Sequence, residues 1–532
     1  MMLNLRLPCG GLPGIVSLVV VLSACSVPLQ VPRDRGGGPQ RGADDSVNSQ
    51  VSDLDVVRLT LDLERRGQEM LGFGASDCWS GQFVGNWPDE QREAVADLLF
   101  ETALDERGAP RGIGLSVWRF NLGAGSNRDE SISRPWRRTE SFFNDDFSGY
   151  DWSKLSGQRW LLQAARERGV DRFIAFANSP PVNMTVNGRA FCDDDALSTN
   201  LAPDREKDFA AYLADVVEHF REREGIEFAV ISPFNEPQWE WTKRTQEGCR
   251  YSTDDMRRVV EALAREPGLG TTEIEIPESG TIKDLWMGKR YLEAFFGPSS
   301  PTDVRGRVAD RIVAHSYWTD RPGRGLVQRR RELRRALDRY PGVDYAMTEY
   351  CPLGEDGPGR DLGMDTALFV ARVIHFDLVV AQAVSWQWWL AVSPYDYKDG
   401  LLYVDDLSGG GEVAESKLLW AMGNFSRFVR PGMIRIEVER SDGESHEKTV
   451  NGLMASGFLD EATGSVAVVL VNVSGEAHSV VCDVVNGRVE SWTPYLTSAD
   501  SDLEPQPAVG PRGALSVPAR SVVTVVAGPR SS

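Results

Sequence analysis

The chain is 532 residues long, 41% apolar and 9% aromatic, which is enough globular material for a large domain with a smaller one, or for three ordinary domains. Its formal net charge of −20 makes the average surface repel phosphate backbones and anionic membranes, and so argues against a nucleic-acid partner. Fifteen tryptophans are the more telling count, because flat aromatic faces with one polar edge suit sugar rings as well as cores.

Residues 1–25 read as a lipoprotein signal peptide: Arg6, an apolar run, then Leu22-Ser23-Ala24-Cys25. That ending has the form of a bacterial lipobox, with cleavage before Cys25 and lipidation of its thiol. The expected product is an exported bacterial lipoprotein of the cell envelope or cell surface, held to a membrane by a lipid anchor; an ordinary signal peptide is the alternative. No later stretch reaches the roughly 18 uninterrupted apolar residues that a membrane span needs. Residues 26–51, rich in Gly, Pro, Arg, Asp and Ser without apolar periodicity, read as a disordered tether.

Residues 52–66 contain "VRLTLDL" from Val57 to Leu63, the strict alternation of a half-buried strand. Over 67–430 strands and helices then alternate. "GFGAS", "IGLSVWRFNLGAG", "DRFIAFANSPP", "IEFAVISPFNEP", "TEIEIPESG", "RIVAHSYW", "VDYAMTEY" and "AVSWQWWL" are strand-like. Between and after them "DEQREAVADLLFE", "SGQRWLLQAARERG" (closed by glycine), "PDREKDFAAYLADVVEHFRER", "TDDMRRVVEALARE" (with a Thr or Asp cap), "GLVQRRRELRRALDRY" and "DTALFVARVIHFDLVV" have helical periodicity. Eight such units point to an α/β fold, a (β/α)8 TIM barrel with insertions; eight regular repeats and the lack of a GxGxxG loop disfavour a doubly wound sheet. From 431 to 532 the period becomes 2, in short strands such as "MIRIEVER", "SVAVVLVNV" and "RSVVTVVAG", which predict a side β-sandwich. The strand at Val57–Leu63 finds no partner in the barrel and is expected to join that sandwich.

Beyond Cys25 the cysteines are Cys78, Cys192, Cys249, Cys351 and Cys482. None has CxxC or Cys/His spacing, so no zinc site is expected. Cys192 and Cys249 both fall in polar loops and are candidates for a bridge between them.

In a TIM barrel the functional side chains stand at the C-terminal strand ends. Asn235 and Glu236 end the fourth strand and Glu349 the seventh; these strands face each other across the mouth, so the two carboxylates can converge. Two carboxylates about 5 Å apart are the equipment of a retaining glycosidase. Glu236 is then the acid/base, held protonated by partial burial and the second acid, and Glu349 the ionised nucleophile. Arg119, ending the second strand, is either the cation that holds Glu349 or half of a structural salt bridge. Tyr317 is a candidate hydrogen-bond donor to the nucleophile, whereas His315 reads as a satisfied core histidine. A sugar platform is expected from Trp79, Trp239, Trp241 and one of Trp386 and Trp388, the other packing in the barrel. Asp77 and Asn178 are candidates to hydrogen-bond ring hydroxyls.

The segments "GFGAS", "WRFNLGAGS", "ANSPPVNMTVNG", "ISPFNEPQWEW", "HSYW", "TEYC" and "WQWW" together resemble glycoside hydrolase family 30, of clan A, over about Val56 to Gly528. The resemblance implies a retaining enzyme with Glu236 as acid/base and Glu349 as nucleophile. Within the family, "NEPQWEW" followed by "QEGCRYS" is most similar to the endo-β-1,6-galactanases, which implies a polysaccharide or oligosaccharide substrate of the arabinogalactan type. Other members act on β-1,6-glucan, glucosylceramide or xylan. An anionic xylan-type substrate would want a basic subsite, which the overall acidity disfavours but which "RPWRRTE" from Arg134 could supply. A carbohydrate-binding lipoprotein without catalysis is the rival class. No cofactor or metal is implied, since two carboxylates and water suffice, and the sequence carries no signal for an oligomeric state.

Overall fold

The computed structural model describes residues 56–194, 199–353 and 359–528. The expected signal peptide with Cys25 and the expected tether lie outside them. The chain opens on β1 (Val56–Glu69) and enters the barrel through β2 (Gly72–Ser76), α1 (Gly81–Val84), α2 (Asp89–Phe100) and β3 (Val117–Leu122). It continues through α3 (Ser156–Glu167), β4 (Arg172–Ala177), α4 (Glu206–His219), β5 (Phe228–Ser232), α5 (Thr253–Leu263), β6 (Glu273–Ile274) and β7 (Ile276–Ser279). Then come α6 (Tyr291–Phe296), β8 (Arg311–Ala314), α7 (Leu326–Leu337), β9 (Asp344–Met347), α8 (Met364–Phe376) and β10 (Ala383–Ser393).

From β2 to β10 the strands pair in parallel, in the order β6-β5-β4-β3-β2-β10-β9-β8-β7. The ring closes because β6 and β7 are one strand interrupted at Glu275, so the fifth strand pairs with its two neighbours through separate halves. Every residue of β2, β3 and β10 is buried. A strand covered by helices on one side and by the barrel core on the other must be, and this is why they read as continuous apolar runs rather than alternating ones. Helix ends follow local chemistry. Gly169, just past α3, takes a φ of +86°, a conformation that glycine adopts without strain. The cap of α5 is Ser252 rather than Thr253 or an aspartate: its hydroxyl accepts from Asp255 N–H while Asp255 reaches back to Ser252 N–H.

After β11 (Gly400–Val404), β12 (Val413–Glu415) and α9 (Lys417–Ser426), the chain leaves the barrel for β13 (Ile434–Arg440), α10 (His446–Thr449), β14 (Leu453–Leu459), β15 (Val466–Asn472), β16 (His478–Val485), β17 (Thr493–Ser498), β18 (Ser501–Pro505), β19 (Leu515–Val517) and β20 (Ser521–Ala527). These join β1 in a mostly antiparallel nine-stranded sheet, with β1 between β13 and β16. The sheet has its own core of Leu59, Leu61, Ile436, Val468, Leu470, Val480 and Val525. Alternate residues of the same strands, Val469, Val471 and Val522, belong to the large core shared with the barrel helices. Period-2 geometry thus lets β15 bury both faces, one within the sandwich and one against the barrel, and fastens the two parts together.

Cys192 and Cys249 are neighbours, as the loop reading anticipated, but both are free buried thiols. The Cys249 sulfur lies 3.5 Å from both Arg250 O and Thr199 Oγ1, and the hydrogen bond it shares with Cys192 brings the latter thiol down to about 7.

Candidate active site

Just past β5 the chain meets Pro233 and then Asn235-Glu236-Pro237. Glu236 adopts a left-handed conformation, φ +46°, which costs a non-glycine residue on the order of 1 kcal/mol. Three hydrogen bonds hold it there. Its N–H donates to Glu278 O at 2.8 Å, and its carbonyl accepts from Trp239 N–H at 3.1 Å and Trp241 Nε1–H at 3.0 Å. The turn aims the carboxylate into a cleft of about 570 Å3 at the C-terminal mouth of the barrel, where Glu349 enters two residues past β9.

The two acids are tied to one another through buried polar groups. His315 Nδ1 lies 3.0 Å from Glu236 Oε1 and 3.5 Å from Glu349 Oε1. Arg119 Nη1 donates to Glu349 Oε2 at 2.6 Å and its Nη2 to Asn235 Oδ1 at 3.2 Å, with the guanidinium 3.7 Å from the centre of the Phe176 ring. Tyr317 Oη–H donates to Glu349 Oε1 at 3.0 Å. Arg119 is therefore the cation against Glu349, Tyr317 its hydroxyl donor, and Asn235 lines the cleft as expected.

The histidine is where the sequence reading needs correcting. His315 is fully buried yet is no passive core residue, because its Nε2 lies 3.2 Å from a third carboxylate, Glu278. Glu278 is the penultimate residue of β7 and was not singled out by the sequence. Ser232 Oγ–H donates to it at 2.8 Å, Thr348 Oγ1–H also donates, and Arg119 Nη2 stands 3.5 Å away. Burial alone would raise Glu278, but the Arg119 charge and the His315 and Thr348 hydrogen bonds outweigh it and hold the carboxylate at about 2. Burial alone would likewise lower His315; the charge of Glu349 and the hydrogen bonds to Glu236 and Glu278 instead lift it to about 9. At neutral pH the imidazole is therefore a cation donating from both nitrogens. Glu236 moves the other way: desolvation pushes its carboxyl up, against the opposing hydrogen bond from His315. A carboxyl whose burial favours its protonated form thus faces a carboxylate ion-paired to Arg119.

One oxygen each of Glu236 and Glu349 and a nitrogen of His315 lie within 4.8 Å of one another, a spacing that could in principle ligate a metal ion. A protonated His315 has no lone pair to give, and Arg119 already occupies Glu349, so the set is suited to proton transfer and nucleophilic attack rather than to coordination.

The aromatic platform is partly redrawn. Trp386 and Trp388 are both fully buried and their indole N–H groups donate inward, to Asp377 Oδ2 at 3.0 Å and Asp399 O at 2.9 Å. Trp389 lines the cleft instead. The cause is a register shift: Trp388 pairs with Ala75 and Leu390 with Ser76, which leaves Trp389 as the extra residue of a bulge that re-aims its side chain. Trp241 lines the cleft, joined by Trp318; Trp239, 37% exposed, packs edge-on against Trp318 at 5.4 Å. Trp79 is buried behind the wall, edge-on to Trp389 at 5.3 Å. Asp77 and Asn178 are buried and are not among the residues that line the cleft. Asp77 accepts from Asn121 N–H at 2.9 Å and Gln158 Nε2–H at 3.0 Å, and Asn178 Nδ2–H donates to Asn121 at 2.9 Å. They brace the ends of β2, β3 and β4.

Known proteins place this geometry. The chain is 26% identical over 395 residues to an endo-β-1,6-galactanase of Hypocrea rufa, covering 70% of this chain and 75% of that protein. It is 24% identical over 351 residues to a glucuronoxylanase of Bacillus subtilis, covering 62% and 68% respectively. The crystal structure of a conserved exported protein from Bacteroides fragilis superposes with a TM-score of 0.82 at 33% identity, over 88% of this chain and 99% of that one. Residues 56–403, the stretch that runs from β1 through the barrel and carries Glu236, His315 and Glu349, match the model of O-glycosyl hydrolase family 30, and the chain belongs to that family.

Proposed function

We propose that the protein is a retaining glycosidase that cleaves β-1,6-linked galactan side chains by double displacement. The observation that carries the mechanism is the placing of Glu236 and Glu349 oxygens within 4.8 Å of one another. Such closeness supports a retaining pair, whose carboxyl groups stand about 5–5.5 Å apart, over an inverting pair, whose about 6.5–9.5 Å leaves room for a water. In the first step Glu349 attacks the anomeric carbon, the bond to the leaving sugar breaks, and Glu236 gives its proton to the departing oxygen. Glu236, now a carboxylate, takes a proton from water. That water attacks the same carbon and releases Glu349.

The galactan reading rests on the "NEPQWEW" and "QEGCRYS" segments and on the Hypocrea galactanase; the Bacillus glucuronoxylanase supports a second reading, in which the same machinery works on a xylan backbone. Incubation with arabinose-trimmed β-1,6-galactan, β-1,6-glucan and glucuronoxylan, with Glu349→Ala as blank, separates them. Short β-1,6-galacto-oligosaccharides from the wild type alone uphold the proposal. Products from another polymer replace the substrate and keep the two-glutamate chemistry. Binding without hydrolysis by a folded wild type would favour the non-catalytic binding protein. Export as a lipoprotein through Cys25 is part of the proposal; radiolabelled palmitate should enter the wild type and not Cys25→Ala, and equal labelling would reject it.

A further inference from the structure

Behind the catalytic residues lies a buried ion pair that touches neither of the two acids. Arg330, on α7, and Asp377, directly after α8, are both fully buried, and Arg330 Nε donates to Asp377 Oδ1 at 2.8 Å. Asp377 Oδ2 also accepts from Trp386 Nε1–H of β10 at 3.0 Å. Taking two charges out of water costs more than their attraction returns unless their remaining donors and acceptors are met as well. What meets them here is the chain just past β8.

Arg330 Nη2 donates to Ser316 Oγ at 3.1 Å, and Ser316 Oγ–H donates to Asp377 Oδ2 at 3.1 Å, so one hydroxyl closes a ring with the pair. Arg330 Nη1 donates to Thr319 O and lies 3.3 Å from both Thr319 Oγ1 and Leu326 O. Thr319 Oγ1–H in turn donates to Ser316 O at 2.8 Å. A single guanidinium thus grips the turn at Ser316, at Thr319 and at the first residue of α7. Ser316 is also the residue between His315 and Tyr317. Its neighbours reach Glu236 and Glu349, while its own side chain reaches the ion pair. The same turn carries Trp318, which lines the cleft, and Asp320, which accepts at 2.7 Å from the hydroxyl of Tyr350, the residue after Glu349. His315 itself is tied on the other side, its N–H donating to Ser279 O at 2.7 Å, beside Glu278.

We infer that the Arg330–Asp377 pair positions the catalytic turn: through Ser316 and Thr319 it fixes the backbone that presents His315 and Tyr317 to the two glutamates. The inference rests on the reading of Glu236 and Glu349 as the reacting acids and adds to it what holds their partners in place. An apolar contact at this point would fill the space but would not define a direction. A closed ring of hydrogen bonds drawn from α7, the end of α8 and β10 does, and a fully satisfied buried network rigidifies what it holds. Arg330, Asp377 and Ser316 are therefore positioning residues, and their loss should fall on kcat rather than on KM.

Two variants test this on whichever of the three polymers the wild type cuts. Ser316→Ala removes the hydroxyl and leaves the ion pair, whereas Arg330→Lys keeps the charge and loses the planar fork. Each should lower kcat about 10–100-fold while KM stays within about threefold, as expected when reacting groups are displaced by a fraction of an ångström. The His315 imidazole, followed by NMR, should titrate below its wild-type value near 9. Asn424→Ala is the control for lost stability: Asn424 is buried on α9, donates to Tyr495 O and Thr524 Oγ1 of the sandwich, and should lower the melting temperature with kcat unchanged. Wild-type kcat in both turn variants, or a loss that Asn424→Ala reproduces, would overturn the inference. A wild type idle on all three polymers would remove the catalytic reading alone. The His315 titration then decides, a fall in Ser316→Ala upholding the positioning role and an unmoved value rejecting it. Ser316→Ala disturbs no charge, so it carries the test even where Arg330→Lys fails to fold.

Discussion

His315 stands between two acids of opposite duty, with Nε2 3.2 Å from Glu278 and Nδ1 3.0 Å from Glu236. Glu278, held at about 2, is one of the anions that, after the charge of Glu349 and beside Glu236, keep the imidazole charged, and the imidazole's Nδ1 holds the Glu236 carboxyl in place. Glu278→Gln retains the shape and one of the two oxygens that accept from Ser232 and Thr348, but removes the charge. The His315 imidazole, followed by NMR, should titrate near 9 in the wild type and at least one unit lower in the variant, with kcat/KM down by about 10–100-fold. An unmoved His315 titration would show that Glu278 is not what holds the proton.

The same pair sets a window for stability. His315 is raised from its ordinary 6.5 to about 9, so its contribution is fully present below about 6.5 and is lost as pH climbs through 9. Glu278 is depressed from 4.5 to about 2, so its contribution is present above about 4.5 and is lost as pH falls towards 2. Denaturant unfolding from pH 6 to 10 should show the wild type losing roughly 3 kcal/mol at most to this one proton. His315→Gln should lack that part of the slope; a variant whose profile runs parallel to the wild type would refute the assignment.

Arg119 divides its contacts between two nitrogens, Nη1 meeting Glu349 and Nη2 meeting Asn235 and Glu278, and a point charge cannot copy them. Arg119→Lys preserves the positive charge but surrenders at least one of those contacts and the face laid over Phe176. The expected loss is about 100-fold or more in kcat, with a folded protein by circular dichroism. A variant within about threefold of wild type would mean that charge alone suffices there.

How much of this was legible beforehand follows from where each signal resides. The ends of β5 and β9 could be read because an apolar run stops abruptly at Asn235-Glu236-Pro237 and at Thr348-Glu349, and barrel geometry turns such stops into neighbours. Arg119 and Tyr317 were legible for the same reason. Glu278 hid inside "IPESG", where it reads as one more polar residue ending a short strand. His315 was misjudged because its partners come from separate strand ends, and no spacing along the chain reveals that three carboxylates meet one ring. Asp77 and Asn178 sit at strand ends too, yet brace neighbouring segments, so position at the mouth does not by itself decide which way a side chain points. The unbridged Cys192 and Cys249 repeat the lesson: proximity was inferable, and bonding was not.

The tryptophans of β10 supply the sharpest case, because strict period 2 puts Trp386 and Trp388 on one face and the bulge overrides it at Trp389. The consequence can be measured by comparing two truncations. Trp389→Ala removes an aromatic wall of the cleft while Trp386 and Trp388 keep the strand packed, so the cost should fall on substrate. Losing about 1–2 kcal/mol of apolar contact corresponds to roughly 5–30-fold in kcat/KM, with little change in melting temperature. Trp386→Ala empties a fully buried site and leaves Asp377 without its indole donor, so it should cost about 3–5 kcal/mol of stability. Whatever Trp386→Ala protein folds should retain near-normal affinity for substrate. If Trp386→Ala proved stable and substrate-defective while Trp389→Ala behaved as wild type, the bulge would not be aiming Trp389, and the platform would follow the simple alternation of the strand.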